Sequence, residues 1–297
     1  MNVVEFDNIH RAYERGADVL DGVSFSVRTG EVVGLLGKNG AGKTTLLRIA
    51  MGLIDSQRGS VSVFGLDPRE QAVEIKRRVG YVSEDQILPP FMTVGKVVDL
   101  HRELFPSWDD EMAGQLLERF RLSARVKIKK LSKGQARQVA LVCAVSHRPE
   151  LLVLDEPAGG LDPAARREFL ETSIQLLNVA GSTILFSSHH MTDVERVAGR
   201  VVMIHEGKLL IDSELDDLRE NYCLALVPHG AEASRDRVLG AEGCIGGRSR
   251  TEAIHAIFQH EPERCLRYLE QELGIRGARC ARVPLEEMFI ELAGEES

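Results

Sequence analysis

No stretch of eighteen apolar residues occurs anywhere in the 297 residues, which excludes a helix that spans a membrane. The opening residues, MNVVEFDNIH, lack the basic and apolar regions of a signal peptide. The expected location is therefore the cytoplasm, unless a partner holds the chain at a membrane. An excess of positive charge is also missing. With 37 Lys and Arg against 45 Asp and Glu the net charge is −8, so no nucleic-acid partner is expected. Cys143, Cys223, Cys244, Cys265 and Cys280 form no CxxC pair and have no metal-like spacing. They read as small buried or half-buried thiols in a reducing compartment. Finally, lysine disappears after Lys208 while arginine stays frequent, a shift in composition that marks a second, smaller domain from about residue 221.

What is present centres on EVVGLLGKNGAGKTTLLRI, residues 31 to 49. Val32, Val33, Leu35 and Leu36 form an apolar run too short for a helix and rich in strand formers. Gly37, Gly40 and Gly42 follow, then Lys43, Thr44 and Thr45, and then the helical spacing of Leu46, Leu47 and Ile49. This is G-x-x-x-x-G-K-[ST] between a strand and a helix, the context that motif requires. Glycines let successive backbone N–H groups point inward as an anion nest, and the helix start adds unpaired N–H groups and the positive end of its dipole. Lys43 can reach terminal phosphate oxygens, and the Thr44 hydroxyl can hold Mg²⁺. The stretch is expected to bind a nucleotide.

The rest of the chain reads as an α/β pattern interrupted by helices. Strands are expected at 3–6, 19–27, 61–64 and 79–82, the last running into Ser83 and Glu84. Tyr13 lies alone in a polar stretch, where it could stack on a base or sit as a half-buried loop residue. Thr93 can cap a helix over 94–104, and another is expected over 109–120. A basic stretch then leads to Leu131-Ser132-Lys133-Gly134-Gln135 at the start of a helix with free N–H groups. Leu151 to Leu154 is apolar on both faces, so it belongs inside a parallel sheet. It ends in Asp155-Glu156-Pro157, where α/β folds place their ligands. Gly160-Leu161-Asp162 makes a turn before Pro163 starts a helix. A further buried strand ends at Ser187-Ser188-His189-His190.

Taken together these residues resemble the ATP-binding subunit of an ABC transporter, over residues 1 to about 218. GKNGAGKTT resembles the family's Walker A, LLVLDEP its Walker B and LSKGQ its LSGGQ signature; GLD resembles the D-loop and His189 the switch histidine. The resemblance implies a P-loop NTPase fold with an antiparallel β subdomain and a helical signature-motif subdomain at about 88–147. A small C-terminal α+β domain of unknown role, 221–297, completes the expected architecture. It implies ATP held by Tyr13, Gly37, Asn39, Gly40, Ala41, Gly42, Lys43, Thr44 and Thr45. Ser132, Gly134 and Gln135 would contact the ATP of a second ATPase subunit in a head-to-tail dimer, and Asp162 of the D-loop would also belong to the nucleotide site. Thr44, Glu84 and Asp155 would hold Mg²⁺, Glu156 would be the base that polarises water, and His189 would stand near the γ-phosphate.

Two departures are visible: Glu84 stands where the family usually has Gln, and Lys133 where its signature usually has Gly. The tail PLEEMFIELAG, with the Trp108-Asp109 neighbourhood and the Ser-Glu pair after Val82, resembles ATPases that serve export-type permeases in antibiotic-resistance and peptide-export systems. An integral membrane permease is therefore the expected partner, with the chain peripheral on the inner membrane face. A soluble ABC ATPase acting on ribosomes or chromosomes is the alternative. One uninterrupted copy and an acidic balance argue against it. A small-molecule kinase leaves LSKGQ and His189 unexplained. No chemistry is read in residues 221–297.

Overall fold

A computed structural model describes residues 1–13, 18–84, 88–159, 161, 163–178, 182–230 and 233–293. The chain divides into two compact units, Met1–Asp212 and Ser213–Ser297.

In the first unit, β1 (Asn2–Ala12) pairs antiparallel with β2 (Asp18–Arg28) and with β4 (Arg58–Val63), giving a three-stranded sheet. Alternation places Val4 and Phe6 of β1 with Val23, Phe25 and Val27 of β2 in the core. The second sheet has six strands in the order β5 (Val79–Val82), β6 (Leu151–Leu154), β7 (Thr183–Ser188), β3 (Val32–Leu36), β8 (Arg200–His205) and β9 (Lys208–Glu214). The first five run parallel. Every residue of β6 and β7 is buried, as expected for strands covered on both faces. β8 and β9 join through Glu206-Gly207, both at positive φ, the geometry of a two-residue type I′ turn.

Helix α1 (Lys43–Ala50) leaves the C-terminal end of β3 and buries Leu46, Leu47 and Ile49 against the same core. Between β5 and β6 the chain is helical, with α3 (Val94–Leu104), α4 (Asp110–Arg119) and α5 (Lys133–Val145). Each start is fixed by its cap. Thr93 accepts from the Lys96 N–H, Asp109 from the Met112 N–H, and Ser132 from the Gln135 N–H while the Gln135 side chain accepts from the Ser132 N–H. The remaining helices of this unit are α2 (Ala72–Arg78), α6 (Pro163–Asn178) and α7 (Met191–Val197).

The second unit opens with α8 (Leu215–Asn221) and continues as β10 (Cys223–Pro228), α9 (Arg235–Leu239), β11 (Cys244–Ser249), β12 (Ala253–Phe258), α10 (Pro262–Gln271), β13 (Arg279–Arg282) and α11 (Leu285–Leu292). Its sheet order is β11-β12-β10-β13 with all neighbours antiparallel, the split βαβ arrangement of ferredoxin-like domains. Cys223, Ala225, Ala256 and Phe258 on one face pack with Val238 of α9 and with Cys265 and Leu269 of α10. The other face carries a buried acid, Glu291 of α11, which accepts from Arg248 Nε at 2.8 Å, Arg250 Nη2 at 2.6 Å and pairs with His255 Nδ1 at 3.0 Å.

Burial by itself pushes the Glu291 carboxyl up, but the bonds from Arg248, His255 and Arg250 outweigh it and hold the group below its ordinary range. A depressed carboxylate stabilises the fold fully above its unfolded value near 4.5 and loses that contribution as pH falls through the lower folded value. Glu291→Gln leaves the half-buried Arg248 without its counter-charge. The expected cost is about 3 kcal/mol, read from urea unfolding at neutral pH. The difference from wild type should shrink on acidification, and a pH-independent difference contradicts the assignment.

Candidate active site

The phosphate-loop residues, Glu84, Asp155 with Glu156, and His189 follow the C-terminal ends of β3, β5, β6 and β7 respectively, on the side of the sheet where α/β folds bind ligands. Tyr13, Asn39, Gly40, Gly42, Lys43, Thr44, Thr45, Glu84 and Glu156 line one cleft of about 460 Å³. Gly40 and Gly42 have φ of 85° and 107°. A Cβ at Gly42 would stand 2.6 Å from Leu20 Cδ2 and 2.7 Å from the Val19 carbonyl, so the turn there needs glycine on both counts. Ala41 is buried beneath the loop.

Lys43 is almost fully buried. Its ammonium donates to the carbonyls of Gly37 at 2.6 Å and Lys38 at 3.1 Å, and stands 3.1 Å from Glu156 Oε1. The last contact is a charge contact without hydrogen-bond alignment. The other Glu156 oxygen lies 2.8 Å from His189 Nδ1. Lys43, Glu156 and His189 thus form a continuous chain of cation, carboxylate and imidazole. The Glu156 backbone has φ of 45°, a left-handed conformation uncommon outside glycine and Asn, and Ser187 Oγ accepts its N–H at 2.8 Å.

Asp155 lies behind Thr44. Its Oδ1 accepts from Thr44 Oγ1 at 3.0 Å and from Ser187 Oγ at 2.8 Å, whereas its buried Oδ2 has no hydrogen-bond partner among the described residues. Burial pushes the Asp155 carboxyl above its ordinary range; the Ser187 and Thr44 hydroxyls pull it partly back, and the neighbouring Glu156 charge raises it further. A divalent cation beside Oδ2 would invert that balance. The available donors here are all oxygens, the set a hard cation takes. Next to His189, the His190 ring sits 3.9 Å away, and burial, then the His189 charge, lower its pKa.

Tyr13 is half-exposed at the mouth of the cleft, its hydroxyl 3.5 Å from Thr45 Oγ1 and its ring 5.2 Å from the Arg11 guanidinium carbon. Ser132, Gly134 and Gln135 do not line this cleft. Ser132 and Gln135 cap α5, and a Cβ on Gly134 would stand 2.7 Å from Leu161 Cδ2. Gly160 and Asp162 lie outside the described residues.

Three contributors were not singled out. Ser187 holds both acids, and its place at the end of a buried strand beside Ser188 and His189 was a usable signal. Val19 forms part of the cleft wall through the register of β2, which local sequence does not reveal. Arg137 donates to the Glu84 carbonyl at 3.1 Å across 53 residues.

With this geometry in place, the family model described as ABC transporter matches residues 20–159. The linearmycin resistance ATP-binding protein LnrL of Bacillus subtilis is 33% identical over 221 residues, covering 73% of this chain and 70% of that protein. The Nod factor export ATP-binding protein I of Burkholderia thailandensis is 33% identical over 303 residues, covering 99% and 97%. Among solved structures, a dimeric ATP-binding cassette in a post-hydrolysis state with ADP and Pi superposes with a TM-score of 0.64 at 23% identity, over 71% of this chain and 98% of that one.

Proposed function

This chain belongs to the ABC transporter family of ATP-binding subunits, and from that premise we propose that it hydrolyses Mg²⁺–ATP in a head-to-tail dimer to drive export through a separate membrane permease. The observation that carries the reading is the chain Lys43–Glu156–His189, with Lys43 and Glu156 lining the cleft, beside a buried Asp155 oxygen that has no hydrogen-bond partner among the described residues.

Thr44, Asp155 and Glu84 fit a Mg²⁺ ion, which supplies charge neutralisation on the phosphates when bound. On this proposal the adenine stacks on Tyr13, and the N–H groups of the loop 37–45 cradle the phosphates. Lys43 exchanges its contact with Glu156 for the terminal phosphate oxygens. Glu156, released from the cation and still oriented by His189, then accepts a proton from the attacking water. The Ser132–Gln135 segment, set apart from its own cleft, presents the N-terminus of α5 to the ATP of a second subunit. The dimeric neighbour supports two-chain assembly, and the Nod factor export relative supports outward transport.

The permease needs a docking surface. One apolar cleft of about 290 Å³ lies between the α/β core, at Leu53 and Tyr81, and the helical region, at Leu88, Leu104, Phe105 and His147. Leu53 is 49% exposed and Leu104 61% exposed, and both belong to this apolar lining, the kind of surface that marks protein interaction sites. We assign this cleft to an apolar cytoplasmic segment of the permease. Tagged wild-type chain recovered from gently solubilised membranes is expected to retain an integral membrane protein. Leu104→Asp should reduce that retention more than about tenfold while leaving ATP binding unchanged. Retention of ribosomal proteins instead would favour the soluble alternative.

A further inference from the structure

The sequence suggests no chemistry in residues 221–297 and no metal-like cysteine spacing, yet the fold gathers three cysteines that are distant in the chain. Cys223, Cys265 and Cys280 bring their sulfur atoms within 4.8 Å of one another. They come from three elements. Cys223 of β10 pairs with Arg282 and Ala225 with Cys280 of β13, so Cys223 and Cys280 are diagonal neighbours, two residue pairs apart in register, on the same face of adjacent strands. Cys265 of α10 packs onto that face. All three are free thiols; Cys223 and Cys265 are fully buried, and Cys280 is half-buried.

We propose that these three cysteines form a binding site for one thiophilic closed-shell metal ion such as Zn²⁺ or Cd²⁺. The size is right. Sulfurs about 2.3 Å from a shared ion stand about 4 Å apart, so contraction by less than about 1 Å per pair closes the site. A disulfide would use two sulfurs and strand the third. The ligand type is selective, because soft thiolates prefer Zn²⁺-like and Cu⁺-like ions over Mg²⁺ or Ca²⁺. A divalent ion would cancel two of the three thiolate charges in surroundings that include Ala225, Phe258 and Leu269. The half-exposed Cys280 gives the ion a way in. Once bound, it ties β10, β13 and α10 together, a cross-link that the 85-residue unit Ser213–Ser297 otherwise lacks among its described residues.

The test uses untagged full-length chain, reduced, stripped with chelator and titrated with Cd²⁺ as the spectroscopic probe. The expected result is a thiolate-to-metal charge-transfer band that saturates at one equivalent. Cys223, Cys265 and Cys280 should then be protected from alkylation, while Cys143 and Cys244 are unaffected. Zn²⁺ should displace the probe. Cys265→Ser should abolish the band. Because that site is fully buried, Cys280→Ser serves as the milder variant, expected to weaken Cd²⁺ binding more than about 100-fold, since even second-shell losses at metal sites cost 10- to 100-fold. Cys244→Ser should bind as wild type. Absence of a stoichiometric band, unchanged affinity in Cys280→Ser, or a Cys223–Cys280 disulfide in place of metal binding each overturns the proposal and leaves three cysteines that merely fill a core.

Discussion

Glu156→Gln is expected to bind ATP at least as tightly as the wild type and to hydrolyse it about 10²- to 10⁴-fold more slowly. The amide has the shape of the carboxylate but almost none of its basicity, so it cannot take a proton from water. Binding should survive for a structural reason. In the wild type the Lys43 ammonium stands 3.1 Å from Glu156 Oε1, and a triphosphate must draw it away. The substitution removes that competing charge and makes the cleft more positive by one unit, both of which favour an anionic ligand. With hydrolysis blocked and binding intact, the variant should accumulate as an ATP-bound dimer on size-exclusion chromatography. Steady-state ATPase rates and nucleotide titration separate the two effects. Near-normal turnover in the variant transfers the base role from Glu156 to another group.

How far the sequence reveals this site depends on how local each signal is. The phosphate loop was legible because its chemistry is contiguous: glycines, lysine and threonine sit in one turn between a strand and a helix. Val79–Val82, Leu151–Leu154 and the Thr93-capped helix Val94–Leu104 were legible for the same reason, since run length and cap residues are local properties. Contacts across the fold were not. That Ser187 holds Asp155 depends on β6 and β7 being neighbours, which no nearby residue states.

In the second unit, β11 has a weak sequence signal because Gly246 and Gly247 are poor strand formers. Yet a Cβ on Gly247 would stand 2.1 Å from the His255 carbonyl, so close pairing with β12 requires the glycine that hides the strand. The clustering of the three cysteines is hidden from the sequence by the same logic. Spacings of 42 and 15 residues look arbitrary until strand order places β10 beside β13 and lays α10 across them.

A mixture of Lys43→Ala and Ser132→Arg chains should recover ATPase activity that neither chain has alone. Lys43→Ala removes the buried cation that bonds the Gly37 and Lys38 carbonyls and is placed to meet the phosphates. Losing charge-assisted bonds of about 1.5–3 kcal/mol each should weaken ATP binding by at least about tenfold to a hundredfold. Ser132→Arg acts elsewhere. Ser132 is exposed and lies outside the cleft that holds Lys43, so ATP binding to the variant's own phosphate loop should be retained. The lost cap costs about 0.5–2 kcal/mol of helix stability, which a domain of this size tolerates. Turnover should nevertheless collapse, because a bulky cation replaces the helix N-terminus presented to the partner's ATP.

In a head-to-tail pair of the two variants, one site combines both substitutions and the other contains neither. Equal mixing makes half of the dimers mixed, each with one intact site. Independent sites then return about a quarter of wild-type activity, the value set by two-fold symmetry. Wild-type specific activity should also rise with protein concentration as dimers form. A mixture that stays inactive while mixed dimers are present overturns independent shared sites, and a concentration-independent activity of wild-type monomer overturns the two-chain site itself.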